Sequence, residues 1–146
     1  MAFAACPSLA YFSVDASNLA YRDTAGVLYS ADGSTLISYP AAKSSSSVTI
    51  PASVKNIGSN PFASCDKLTT LSVQSGNTAY YMSGNCLIER ASKTLIAGCK
   101  ASVIPNDGSV TSIGYGVFEG CTSLEGIFYE LSESDFLNVD GQEHYI

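Results

Sequence analysis

Histidine is almost missing from this 146-residue chain, where His144 is the only one, and tryptophan does not occur. A cysteine nucleophile needs a base within hydrogen-bond reach, so a lone histidine near the C-terminal end gives no support to a Cys and His enzyme. No C-x-x-C pair occurs, which removes zinc sites of the usual spacing. G-x-G-x-x-G is absent too: Gly114, Gly116 and Gly120 only imitate a phosphate loop. Charged residues make up 14%, the 7 Lys and Arg form no cluster, and the net charge is −6. Nucleic acid, which wants a basic stripe, is therefore excluded as a partner. No apolar run approaches the roughly 20 residues of a membrane span. The opening residues, MAFAACPSLAYF, lack the basic flank and long apolar stretch of a secretory signal. Asp15, Glu89, Glu125 and Glu130 are scattered, with Glu133 and Asp135 together near the end. Sugar hydrolysis needs two acids at a defined separation, so these read as solvated surface acids. The expectation is a protein with no reaction, no cofactor, no metal and no membrane insertion.

What is present is repetition. PFASCDKLTTLSVQ carries its apolar marks at Phe62, Cys65, Leu68, Leu71 and Val73. AFAACPSLAYFSVD repeats it with Phe3, Cys6, Leu9, Phe12 and Val14. VFEGCTSLEGIFYE repeats it again with Phe118, Cys121, Leu124, Ile127 and Tyr129. Phe62 lies 59 residues after Phe3, and Phe118 lies 56 after Phe62. A long internal period implies units that bury their apolar faces on one another. Phe3, Cys6, Leu9, Phe62, Cys65, Leu68, Leu71, Phe118, Cys121 and Leu124 are the expected core, with Cys6, Cys65 and Cys121 as a row of small buried thiols. Alternation predicts a strand within residues 2–15 and turns outward Tyr11, Ser13 and Asp15, then Thr70, Ser72 and Gln74, then Gly126, Phe128 and Glu130. These outward positions are the candidate binding face, with Tyr11 and Phe128 as aromatic anchors.

Between copies, Val27 to Tyr29 and Leu36 to Tyr39 predict a hairpin about Ala31, Asp32 and Gly33. The next copy repeats it, with Tyr80, Leu87, Leu95 and Ile96 each 59 residues after Tyr21, Leu28, Leu36 and Ile37. Residues 44–47, all serine, read as a solvated connector. Pro51 and Pro105 end strands at Ile50 and Ile104 because proline cannot donate to a ladder. Val54 with Ile57, and Val110 with Ile113, form inward pairs, and Gly58 and Gly114 are expected in left-handed turns. Cysteine is odd in number, at five. A disulfide needs Cα atoms within about 7 Å. Copying the first hairpin's register sets Cys86 opposite Ala97, with Cys99 a diagonal neighbour, so two free thiols are expected. Ser132 and Asp135 resemble a capping box, and a short helical cap is expected over residues 132–146.

SVTSIGYGVFEGCTSLEGI resembles the BspA-like leucine-rich repeat, with its Ser-Val, Ile-Gly, Phe, Gly-Cys-Thr-Ser-Leu and final Ile. AGVLYSADGSTLISYPAAK is similar to the hairpin unit often found between such repeats, and ESDFLNV to the tail that closes such arrays. The resemblance covers about the whole chain, with Pro61 and Val117 departing from the usual small residue and Phe12 standing for Leu or Ile. It implies one β-rich leucine-rich-repeat solenoid over residues 1–146, a right-handed coil stack of the α/β horseshoe class with inserted hairpins, as a segment of a longer chain. It further implies a surface or secreted protein used in adhesion or protein binding. A spacer between domains and a carbohydrate-binding module are the alternatives. Ligand and oligomeric state stay open.

Overall fold

The computed structural model describes residues 2–3, 6–58, 61–99, 102–118 and, for backbone alone, 128–129. No helix is present among them. The predicted hairpin is there in both copies, but each gains a leading strand and becomes an antiparallel meander. In the first, β1 (Tyr21–Thr24), β2 (Val27–Ser30) and β3 (Thr35–Ser38) pair in sequence. The second repeats this with β7 (Tyr80–Ser83), β8 (Cys86–Glu89) and β9 (Thr94–Gly98). The extra turns hold two residues each, Ala25 and Gly26 at φ 50° and 78°, Gly84 and Asn85 at 58° and 59°. Positive φ at both central residues marks the hairpin turn whose twist matches its strands. A register shift falls at Leu28 and Tyr29 and again at Leu87 and Ile88.

Between and after the meanders run short parallel strands. β4 (Ser47–Ile50) pairs with β6 (Thr70–Val73), and β10 (Val103–Ile104) pairs with β12 (Phe128–Tyr129). β4 and β10 stop at Pro51 and Pro105, as expected. β5 (Asn56–Ile57) adds in parallel to β3, and β11 (Ser112–Ile113) to β9. Among the described residues these make two four-stranded sheets and two two-stranded ribbons. The serine connector is exposed at Ser44, Ser46 and Ser47 and half-buried at Ser45, and Ser47 already opens β4.

Among the described residues the core forms two clusters. One runs from Val27 to Cys99 and joins both copies through Leu36, Ile50, Val54, Phe62, Leu68, Leu71, Tyr80 and Leu87. The other gathers Cys86, Ile88, Leu95, Ile104, Val110 and Val117, with Ile113 and Phe118 packed against it. Ile57 likewise packs at the margin of the first.

Several expectations need correction. Residues 11–14 form no strand, although the turn before them copies the second unit: Leu9 N donates to Cys6 O at 3.1 Å as Leu68 N does to Cys65 O at 3.0 Å. β6 exists because β4 lies beside it, whereas no described strand lies beside residues 11–14. For the same reason the apolar column does not extend through the first copy. Phe62, Cys65 and Leu68 are buried, but Cys6 is exposed, Leu9 is half-buried and Phe3 is 43% exposed against 4% for Phe62. The buried thiol row therefore fails at Cys6. Gly58 and Gly114 are not left-handed. They are small because backbone approaches: a Cβ at Gly58 would sit 3.3 Å from Ile37 O, and one at Gly114 3.1 Å from Leu95 O. Cys86 faces Gly98, with Ala97 opposite Leu87. Cys121, Leu124, Gly126, Ile127, Glu130, His144 and the expected cap at 132–146 lie outside the described residues.

Candidate binding surface

Along β4 and β6 side chains alternate, so Val48, Ile50 and Leu71 enter the core while Ser47, Thr49 and Thr70 face out. Register sets Ser47 beside Thr70 and Thr49 beside Ser72. The outward row is hydroxylic and uncharged. Much of it is already bonded. Thr49 Oγ1 and Ser72 Oγ lie 2.8 Å apart, Ser72 Oγ donates to Val48 O at 3.3 Å, and Gln74 Oε1 accepts from Ala52 N at 2.9 Å. Of the three outward residues predicted on β6 and after it, Thr70 presents an exposed hydroxyl, while Ser72 and Gln74 fasten one coil to the next.

In the first copy, Tyr11 is 68% exposed and Ser13 and Asp15 are exposed. Tyr11 lies close against Gly26, where an added Cβ would meet Tyr11 Cβ at 2.9 Å. Asp15 Oδ1 accepts from Ser17 N at 2.8 Å and Ser17 Oγ at 2.5 Å, which holds its carboxyl below the ordinary range. Asp15 is thus engaged in its own turn. Phe128 pairs along the backbone with Val103, which is 37% exposed.

The rows do not run side by side. The second meander's turn stands between β6 and β10: Leu71 N donates to Asn85 Oδ1 at 3.4 Å, Asn85 Nδ2 donates to Thr69 O at 3.1 Å, and Val103 N donates to Gly84 O at 2.7 Å. Sequence reading missed this role of Asn85, whose only signal was the Gly-Asn pair of a tight turn.

No described group of three His, Cys, Asp or Glu side chains is arranged to hold a metal. Cys86 and Cys99 are buried free thiols. Burial pushes the Cys86 thiol up to about 11 and raises that of Cys99. Both stay protonated near neutrality, so neither has thiolate character.

A family model described as BspA type leucine-rich repeat region (6 copies) matches residues 38–136. The chain belongs to this leucine-rich repeat family. A leucine-rich repeat protein of Eubacterium ventriosum is 30% identical, over 84% of this chain and 30% of that one, with a TM-score of 0.56. A leucine-rich cell surface protein of Faecalibacterium prausnitzii is 22% identical over 99% of this chain and 48% of its own, at TM-score 0.48. The pneumococcal vaccine antigen PcpA is 23% identical over 82% of this chain and 21% of its own, also at 0.48. The BspA-type chain thus spans less than half the length of each. No curated protein matches it.

Proposed function

We propose that this leucine-rich repeat chain is a non-catalytic protein-interaction module of a cell-surface or secreted adhesin, one strand-rich solenoid segment within a longer protein. The observation that supports it most is the outward face of the β4 and β6 ribbon. Its outward residues Ser47, Thr49 and Thr70 are exposed and, with half-buried Ser72, carry small hydroxyls without charge, on a backbone held by a full parallel ladder. Such a face is preorganised and sheds little solvation on contact, which lowers the cost of association. Tyr11, the counterpart of Thr70 by the 59-residue offset, adds an aromatic of the type that anchors interfaces.

The partner under this reading is a protein of a host or bacterial surface. The parent protein, titrated against fractionated surface proteins, should lose about tenfold in affinity with Tyr11→Ala or Thr70→Glu, with its melting unchanged. Affinity equal to the parent's in both variants would favour a spacer between domains. Binding to a glycan array that Tyr11→Ala removes would favour a carbohydrate module.

A further inference from the structure

A cavity of about 700 Å³ opens on the first meander, lined in part by Phe12, Asn18, Tyr21, Leu28 and Ser38. Adding 59 to these positions gives Leu71, Asn77, Tyr80, Leu87 and Ala97, all of which are buried. Leu71, Tyr80, Leu87 and Ala97 share one cluster with Val48, Ile50 and Val54. What covers this surface in the second unit is therefore β4 and the turn that follows it.

The asparagines carry the comparison to single atoms. Asn77 Oδ1 accepts from Ala79 N at 2.8 Å and Tyr80 N at 2.9 Å. Asn18 Oδ1 does the same with Ala20 N and Tyr21 N, both at 2.9 Å. The two amides are thus set alike by their own turns. Asn77 then donates through Nδ2 to Pro51 O at 2.8 Å and Val54 O at 3.1 Å, and Tyr80 hydroxyl reaches Lys55 O at 3.5 Å. Asn18 is exposed and Tyr21 is 48% exposed against 2% for Tyr80. Asn18 Nδ2 meets no carbonyl of the described residues. An exposed side chain already held in a donor's geometry has lost the freedom that binding would otherwise cost.

We propose that this cavity is the seat of one more strand-and-turn segment of the chain's own kind, Val-x-Ile-Pro-x-x-Val, supplied by a coil that precedes residue 2 in the parent protein. Asn18 Nδ2 donates to two carbonyls of its turn, Tyr21 hydroxyl approaches a third, and residues 11–14 take up the parallel ladder that β6 makes with β4. Main-chain pairing gives the attachment its strength, and the apolar pockets over Phe12 and Leu28 select the Val and Ile side chains.

The test duplicates residues 44–60 ahead of Ala2 in the full chain, with a scrambled version of the same extension as control. Joined covalently, the segment has a high effective concentration. The extension should raise the melting midpoint by about 4 °C or more over the control and slow amide exchange at residues 11–14 about tenfold. Asn18→Asp keeps the Oδ1 acceptor and loses the Nδ2 donor, so it should remove most of that gain relative to the same variant without the extension. Equal midpoints for native and scrambled extensions, exchange at residues 11–14 unchanged, or a gain intact in Asn18→Asp would each overturn the proposal. So would sedimentation of the unextended chain as a dimer that Asn18→Asp dissociates, which assigns the cavity to a second copy.

Discussion

Equivalent residues of one repeat have different chemistry here, and cysteine shows it most plainly. Cys6 is exposed, whereas Cys65, Cys86 and Cys99 are buried. Cys86 Sγ lies 3.6 Å from the carbonyls of Gly84 and Val103, and Cys99 Sγ is 3.3 Å from Thr69 O. Alkylation of the native protein at neutral pH, read by peptide mass mapping, should modify Cys6 within minutes and leave Cys65, Cys86 and Cys99 intact until unfolding. The motif made Cys6 and Cys65 look alike; only the covering neighbour separates them. A second residue-scale effect is at Asp32, whose Oδ1 accepts from Ser30 Oγ, Ser34 N and Ser34 Oγ. These bonds depress its pKa from 3.8 to about 2. A depressed carboxyl stabilises the fold above its unfolded pKa, and that contribution is lost as pH falls from about 4 through 2. Acid titration of Asp32→Asn should therefore show a shallower loss of melting midpoint across that interval than the parent shows.

At the level of elements, the two hairpins β2–β3 and β8–β9 were legible because Leu28, Leu36, Ile37 and their partners recur 59 residues on. The leading strands β1 and β7 were not, since Tyr-Arg-Asp-Thr and Tyr-Tyr-Met-Ser show no apolar alternation and are held by the turns at Ala25 and Asn85. Outward positions could be read from alternation, yet the engagement of Ser72 and Gln74 with the adjacent coil could not, because it depends on which strand lies beside β6. Gly98 gives an element-scale prediction. Tyr39 and Phe62 meet at 5.5 Å between ring centres in the first unit. Gly98 holds the place of Tyr39 in the second, and a Cβ there would lie 2.1 Å from Phe118 Cε1. The Phe118 ring rests directly on the β9 backbone. Gly98→Ala should cost about 1–3 kcal/mol in denaturant unfolding, and Phe118→Leu in the same chain should recover part of it.

For the whole molecule, the larger core cluster decides how the fold comes apart. It includes Leu36 of the first meander and Leu87 of the second, both fully buried. Leu36→Ala and Leu87→Ala should each lower stability by about 2–5 kcal/mol. Both should shift a single transition, coincident by far-ultraviolet circular dichroism and by release of the buried thiols. Two separated transitions, each sensitive to one substitution, would show that the halves fold independently.

The turn at Gly84 and Asn85 has a consequence for scale. By standing between β6 and β10 it divides the parallel ladder into two-strand patches, so lengthening the array multiplies patches without widening any of them. Growth of that kind rewards a target that carries its own regular spacing, since every added contact is then made at high local concentration. Reach, more than area, is what this architecture accumulates.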